Sequence, residues 1–287
     1  MGNTRKKGRR KKRKNTGTAA IIIIGIALLA VLFLLTRTLL HGLGSDRESA
    51  GNVTAIPEKT LPPSLLDAAC FGSENGYKTY QSDELKAKLG IDVSVYQGDI
   101  DWEAVAQSDV DFAILRAGYR GYEDGETGVD EYFTSNLEQA SACGMDLGIY
   151  FFSQALTEEE ARNEALEVLK LIQGYEIKYP IYFDWEPVSD GEARTASISS
   201  TELTRCARAF CYTIESAGYR AGIYFNLDLA SHYYHLKDLS DYSFWLAEYQ
   251  DIPSFPYAFD MWQYTNQGDV PGINTIVDMN LSFFPDE

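Results

Sequence analysis

The chain has 287 residues, 45% of them hydrophobic and 23% charged, an ordinary globular composition with length for one large domain or two small ones. Its formal net charge of -17 conceals a split. Residues 1–36 hold nine Lys or Arg and no acid, so the remainder sets 16 basic against 42 acidic side chains, a net of -26. A body that acidic excludes nucleic acid and phosphate-rich surfaces as its partners.

The basic block, Arg5 to Lys14, runs directly into TAAIIIIGIALLAVLFLLT. From Asn15 to Thr36 there are 22 residues without a charge. As a helix rising about 1.5 Å per residue they span ~33 Å, enough to cross a bilayer. The cationic flank predicts that the N-terminus stays in the cytoplasm and the rest is exported. The expectation is a basic cytoplasmic tail over residues 1–17 and an uncleaved, single-pass transmembrane signal anchor over 18–36 in the cell membrane, with the body outside. The alternative is cleavage as a signal peptide and secretion. Against it, the apolar run is longer than a typical signal core and no clear small-x-small site follows.

Residues 37–88 read as a stem or linker: SDRESAGNVTAIPEKTLPPS is polar, contains prolines and has no period. The four cysteines, Cys70, Cys143, Cys206 and Cys211, form no C-x-x-C pair, and the chain has only three His, so no metal site is expected. Cys206 and Cys211 fall on one predicted helix as small apolar filler. The sequence leaves a Cys70–Cys143 bridge open.

From Leu89 onward short apolar runs recur: GIDVSVY, DFAILRAGY, DLGIYFFS, YPIYFDWE, RAGIYFN, SFWLAEY, FDMWQYT and TIVDMNLSF. They are short and rich in Ile, Val, Phe and Tyr, which suits strands buried on both faces. Helical patterns lie between the earlier ones. TEEEARNEALEVLKLIQG opens on Thr157 with Glu160 three residues on, a capping-box signature. Leu166, Leu169 and Ile172 form its apolar face, and Gly174 marks its end. STELTRCARAFCYTIESAG places Leu203, Cys206, Ala207, Phe210, Ile214 and Ala217 on one stripe, with Gly218 closing it. ACGMDLGIYF and SAGYRAGIYF repeat the same helix-end, Gly, turn, strand pattern, as expected of a barrel of parallel strands. After about residue 244 the connections leave no room for helices. The predicted fold is therefore α/β, an irregular TIM-like barrel whose last third has lost its helices. An open doubly wound sheet is the alternative, but no Gly-rich phosphate loop follows the first strand, and no cofactor motif is present.

The fourth run carries the chemistry. In YPIYFDWEP, Asp184 and Glu186 are two residues apart at a strand's C-terminal end, so both face one side and Trp185 the other. Active sites of β/α barrels sit at that end of the strands. Two close carboxylates cannot both ionise freely, which yields an acid and a base in one site. Asp92 in the first strand and Asp278 in the last join them, because first and last strands are neighbours in a closed barrel. Four carboxylates with few cations suit a neutral polymer such as a glycan; a divalent metal is the competing use of such a cluster. Many aromatics lie in or near the strands, among them Tyr96, Tyr119, Tyr150, Tyr182, Tyr224, Trp245, Tyr249, Trp262 and Tyr264. Aromatic faces stack on sugar C–H faces.

Taken together, GIDVSVYQGDIDW, FAILRAGYRGY, GIYFFSQA, YPIYFDWE, GIYF, FWLAEY, MWQYT and VDMN resemble, in order, glycoside hydrolase family 25. These are the Chalaropsis-type lysozymes, β-1,4-N-acetylmuramidases of peptidoglycan. The resemblance covers about residues 89–284, so the barrel domain is placed at 89–287. It implies five β/α units followed by three strands, with peptidoglycan glycan strands as the partner and no cofactor. It further implies Glu186 as general acid, Asp184 as the second catalytic carboxylate, and Asp92 and Asp278 as supporting acids. Gln97, Arg116 and Gln263 in the shared motifs join Tyr96, Tyr119, Tyr150, Tyr182, Tyr224 and Trp245 as candidate substrate contacts. Retention of configuration is implied, through a carboxylate nucleophile or the substrate's own acetamido group, and two acids on one strand favour the latter. One departure stands out: some members carry G-x-Y-H-F where this chain has GIYFF, so altered subsite contacts are expected near Phe151. A peptidoglycan-binding protein without turnover is the alternative function.

Overall fold

A computed structural model describes residues 61–188 and 193–285. The predicted tail and anchor, and residues 37–60 of the predicted stem, lie outside the described residues. Among the described residues no helix is long and apolar enough to cross a membrane.

Before the barrel comes a hairpin, β1 (Phe71–Glu74) and β2 (Tyr77–Tyr80), paired antiparallel. Asn75 and Gly76 form its two-residue turn at φ 51° and 89°, the left-handed pair that such a turn needs. Leu61 and Tyr80 are buried, and the Phe71 ring stands edge-on to Trp262 at 5.5 Å. The second half of the stretch expected to be a bare stem is thus folded onto the barrel. Its polar composition concealed a few well-spaced apolar anchors.

All eight apolar runs are barrel strands: β3 (Lys88–Val93), β4 (Phe112–Arg120), β6 (Asp146–Phe152), β7 (Ile181–Asp184), β8 (Ala221–Asn226), β9 (Ser243–Ala247), β10 (Met261–Gly268) and β11 (Val277–Ser282). A short β5 (Thr127–Val129) doubles back on the end of β4. Pairing β3 to β4 closes the sheet into a barrel. The first seven barrel strands run parallel, but β11 is antiparallel to both β10 and β3, a departure from the all-parallel expectation. The connection over residues 269–276 is too short for a parallel crossover.

Helices follow the first five barrel strands: α1 (Trp102–Ala106), α2 (Phe133–Ala142), α3 (Glu158–Leu171), α4 (Ser200–Ser216) and α5 (Leu227–His232). The expected five units plus three strands are present. Ser199 and Glu202 form a reciprocal capping box on α4. On α3, Thr157 accepts from the Glu160 N–H, but the Glu160 carboxylate accepts from Leu156 N instead of closing the box. Its buried face is Ala161, Ala165 and Val168, continuing to Ile172, while Leu166 faces solvent, contrary to the predicted stripe. Ala217 likewise falls outside the buried stripe of α4, at its C-cap. The four cysteines are free, so no Cys70–Cys143 bridge forms; Cys206 and Cys211 are buried as filler.

The core has two layers. A shell of aliphatic and aromatic side chains lies between barrel and helices. A smaller inner core fills the barrel with Phe112, Ile114, Tyr179, Tyr182, Tyr224, Trp245 and Met261. Gly222 makes room for it: a Cβ there would meet Tyr182 Cε1 at 2.4 Å. This packed floor leaves an open cleft above it, at the C-terminal ends of the parallel strands.

Candidate active site

The cleft has a volume of about 1080 Å³, and Asp92, Asp184, Glu186 and Asp278 all line it. Each arrives by a different local device. Asp92 and Asp184 are inward residues near or at the ends of β3 and β7, both buried. Glu186 lies just beyond β7, on the same side as Asp184. Between them Trp185 turns outward into the shell against Tyr233, ring centres 5.2 Å apart. Asp278 reaches the same rim because β11 is antiparallel: its residue near the strand's start stands opposite Asp92 near the end of β3.

Asp92 is the best-anchored of the four. Its Oδ2 accepts from Gln263 Nε2 and from Asn280 Nδ2, both at 2.8 Å. The two amides are oriented in turn. Tyr224 and Tyr249 donate to Gln263 Oε1 at 3.1 and 2.8 Å, and Trp245 Nε1 donates to Asn280 Oδ1 at 2.8 Å. One Asp92 oxygen is therefore committed to two N–H donors, which disfavours its use as a metal ligand. Among the described residues no group of three acids, His or Cys is arranged to hold a metal ion.

Low solvation dominates the electrostatics. Burial lifts Asp92 to about 6 in spite of its two donors, and lifts Asp278 to about 8 with Asp92 and Glu186 adding to the rise. Asp184 is pushed well above the usual carboxylate range by burial, then by Glu186 and Asp92, against a lowering pull from Arg116. Glu186 is raised by burial and then by Asp92. A carboxyl held protonated and able to donate is what general acid catalysis requires. Asp184 Oδ1 is buried with no hydrogen-bond partner within the protein, which adds to the cost of ionising this carboxyl.

Most of the sequence-predicted contacts assemble here. Tyr96, Gln97, Arg116, Tyr119, Tyr150, Tyr224, Trp245 and Gln263 line the cleft. Tyr96, 75% exposed, stands at the mouth. Arg116 lies 5.2 Å from the Tyr96 ring centre and 6.0 Å from that of Tyr119. Gln97 is largely used in the turn after β3, accepting from Ser94 N and donating to Ile276 O. Tyr182 is a correction: it is fully buried in the inner core against Trp245, one inward position below Asp184, and does not reach the cleft. Phe151 is another. It points into the outer shell, so the expected change in subsite contacts does not arise there.

Residues absent from the predicted contact set also matter. Asn280 was legible as the next inward position after Asp278, and Tyr249 follows β9 at the rim. Asp130 is the buried counter-ion of Arg116, accepting from its Nε and Nη2 at 2.7 Å and from Val95 N at 2.9 Å. Nothing in the local sequence distinguished it from the exposed acids around it.

Residues 91–273 match the family described as Glycosyl hydrolases family 25. The chain belongs to that family. YegX of Escherichia coli K12 is 29% identical over 201 residues, 67% of this chain and 68% of that protein. The autolytic lysozyme of Clostridium acetobutylicum is 24% identical over 197 residues, 67% of this chain and 54% of that one. The modular autolysin LytC of Streptococcus pneumoniae, solved with a synthetic peptidoglycan ligand, superposes with a TM-score of 0.61 at 25% identity, covering 74% of this chain and 52% of LytC. The family 25 chain thus spans about half the length of these last two relatives.

Proposed function

We propose that this protein is a membrane-anchored peptidoglycan hydrolase that cleaves the β-1,4 bond between N-acetylmuramic acid and N-acetylglucosamine. The observation that carries the reading is the pair of buried Asp184 and half-buried Glu186 at the end of β7, opposite Asp92 and Asp278, in a family 25 barrel. A relative described as an autolytic lysozyme and an autolysin bound to a peptidoglycan ligand support the substrate class.

In this reading Glu186, its pKa raised by desolvation and then by Asp92, gives its proton to the glycosidic oxygen as the bond breaks. The substrate's acetamido oxygen closes on the anomeric carbon, and Asp184, which lines the cleft, accepts the acetamide N–H, orienting the group and stabilising the positive charge that develops. Water then opens the ring with Glu186 as base, and configuration is retained. Asp92, raised only to about 6, is ionised at neutral pH and keeps the local potential negative, while Asp278, raised to about 8, holds its proton there. Tyr96 and Tyr119 supply stacking faces at the mouth.

Residues 18–36 serve as the anchor, with residues 1–17 cytoplasmic and the barrel on the cell-wall side. The long uncharged run beside a dense basic block supports this.

The deciding experiment digests purified peptidoglycan with the full chain and identifies the products by mass. Products ending in reducing muramic acid, lost in Glu186→Gln, are expected. Reducing glucosamine ends would overturn the bond assignment, and binding without any new reducing end would identify a non-catalytic peptidoglycan-binding protein. Membrane fractionation with protease protection tests the anchor; a soluble product with a new N-terminus would identify a cleaved, secreted form.

A further inference from the structure

Glu186 has no place in the barrel ladder. β7 ends at Asp184, whose register partners are Phe152 on one side and Tyr224 on the other. The main chain two residues further on needs another anchor, and Gln154 supplies it. Gln154 is fully buried and its Nε2 donates to the Glu186 carbonyl at 3.0 Å. The preceding N–H, of Ser153, donates to the Asp184 carbonyl at 2.7 Å. One dipeptide beyond β6 therefore grips the main chain of both acids.

Gln154 is itself held from behind. Its Oε1 accepts from the Thr195 hydroxyl, which fixes which end of the amide faces Glu186, and its carbonyl accepts from Arg194 Nη1 at 3.0 Å. Arg194 is clamped by Glu160 through two hydrogen bonds at 2.8 and 3.1 Å, and its N–H donates to Tyr122 O in the cleft wall above β4. The chain that leaves the barrel at Glu186 and the chain that returns at Arg194 and Thr195 are thus tied to the same residue.

We propose that Gln154 is a positioning residue for the reaction: through the Glu186 carbonyl it fixes the aim of the Glu186 carboxyl into the cleft, with Thr195 setting the Gln154 amide. This rests on the assignment of Glu186 as the acid. Glutamine suits the task because a single side chain both donates to one strand of chain and accepts from the other. The carboxyl of Glu186 must lie within hydrogen-bond reach of a glycosidic oxygen, and small misplacements of such groups are expensive in rate.

The test uses the full chain with Gln154→Leu, close in size, and Thr195→Val, which removes only the hydroxyl. Steady-state release of reducing ends from peptidoglycan is measured alongside the titration of the Glu186 carboxyl by carbon-detected NMR. For Gln154→Leu, kcat falls on the order of 10²-fold while KM stays within about twofold. The Glu186 titration moves down toward the ordinary carboxylate range as the group swings from its desolvated place beside Asp92 toward solvent. Thr195→Val shows both effects, smaller. A lowered melting temperature with wild-type kcat and an unchanged Glu186 titration overturns the proposal and leaves Gln154 a structural residue. If Gln154→Leu does not fold, Thr195→Val decides on the same two readouts. If the wild type releases no reducing ends, the hydrolase reading fails by itself. The NMR titration then decides the positioning role: a shift supports it and an unchanged titration overturns it.

Discussion

Asp92 and Asp278 stand opposite each other as register partners across the antiparallel seam that closes the barrel, β3 rising to the rim and β11 descending from it. Like charges directly opposite on paired strands are destabilising, so the seam carries a strain that protonation relieves. Burial raises Asp278 from 3.8 to about 8 and Asp92 from 3.8 to about 6. A carboxyl whose folded pKa exceeds its unfolded one binds more protons in the native state between those two values. The stability it permits is fully present below 3.8 and is lost as pH rises through about 8 for Asp278. The melting temperature is therefore expected to climb as pH drops from about 8 to about 5, and Asp278→Asn should flatten that slope while raising the value at the alkaline end. Thermal denaturation across this range, in both proteins, checks it. An equal slope in the variant would remove Asp278 as its source.

Asn280 is the bridge between Trp245 and Asp92, accepting from one and donating to the other. Asn280→Leu leaves the indole N–H without its acceptor and takes one donor from a buried carboxylate. Each orphaned group costs about 1–3 kcal/mol. Loss of a donor also lifts Asp92 further, since hydrogen bonding to the ionised form is what now opposes burial. Denaturant melts should register the lost stability, and the pH–rate profile of peptidoglycan cleavage should shift upward on its acid side. An unshifted profile would detach Asp92 from the reaction.

How far the sequence carried the reading differs by level. Strand number, helix positions and the four acids were legible because they depend on local pattern: β-prone runs, caps, and an acid at a run's end. The direction of β11 depends on the length of one connection, residues 269–276, which the strand pattern alone does not weigh. Depth inside the barrel was not legible either. Tyr182 and Asp184 share a face, yet one position of inward repeat separates floor from cleft. Asp130 and Gln154 were silent for a third reason. They lie outside regular strands, and their roles come from partners far along the chain, Arg116 and Glu186 respectively. The hairpin over residues 71–80 was obscured by the polar composition around it, although its Asn75–Gly76 turn is a strong local signal.

Arg120, in the cleft wall, and Glu164 form a buried ion pair, Nε to Oε1 at 2.6 Å, with the Ser153 hydroxyl donating to the other carboxylate oxygen at 2.7 Å. Burial raises Glu164 to about 7 although Ser153 and Arg120 both stabilise its charge. Removing the cation strands the acid, so Arg120→Met should cost about 3–5 kcal/mol near neutral pH. Replacing both, Arg120→Met with Glu164→Leu, should return much of that loss, because neither buried charge remains. Urea melts of the two singles and the double close the cycle. A double variant as unstable as the sum of the singles would mean that the two act independently.

The last three barrel strands have no helices of their own, and the hairpin takes their place. Phe71 meets Trp262 of β10 edge-on, and both Phe71 and Tyr80 meet Phe283 just past β11, at centroid distances of 6.3 and 5.5 Å. Leu61 adds a buried aliphatic contact to the same shell. Without this cover the outer faces of β10 and β11 would present a continuous apolar strip to water, of the kind that drives association. A chain beginning at Leu89 retains nearly the whole family match, which starts at residue 91. It should nonetheless be aggregation-prone and bind a hydrophobic dye, while a chain beginning at Leu61, which keeps the hairpin, should stay monodisperse and bind little dye. Tyr80→Ala, which empties one buried site in the cover, should cost about 3 kcal/mol, the low end for a buried aromatic. Equal melting temperatures for the chains beginning at Leu61 and Leu89 would show that the barrel stands without its hairpin.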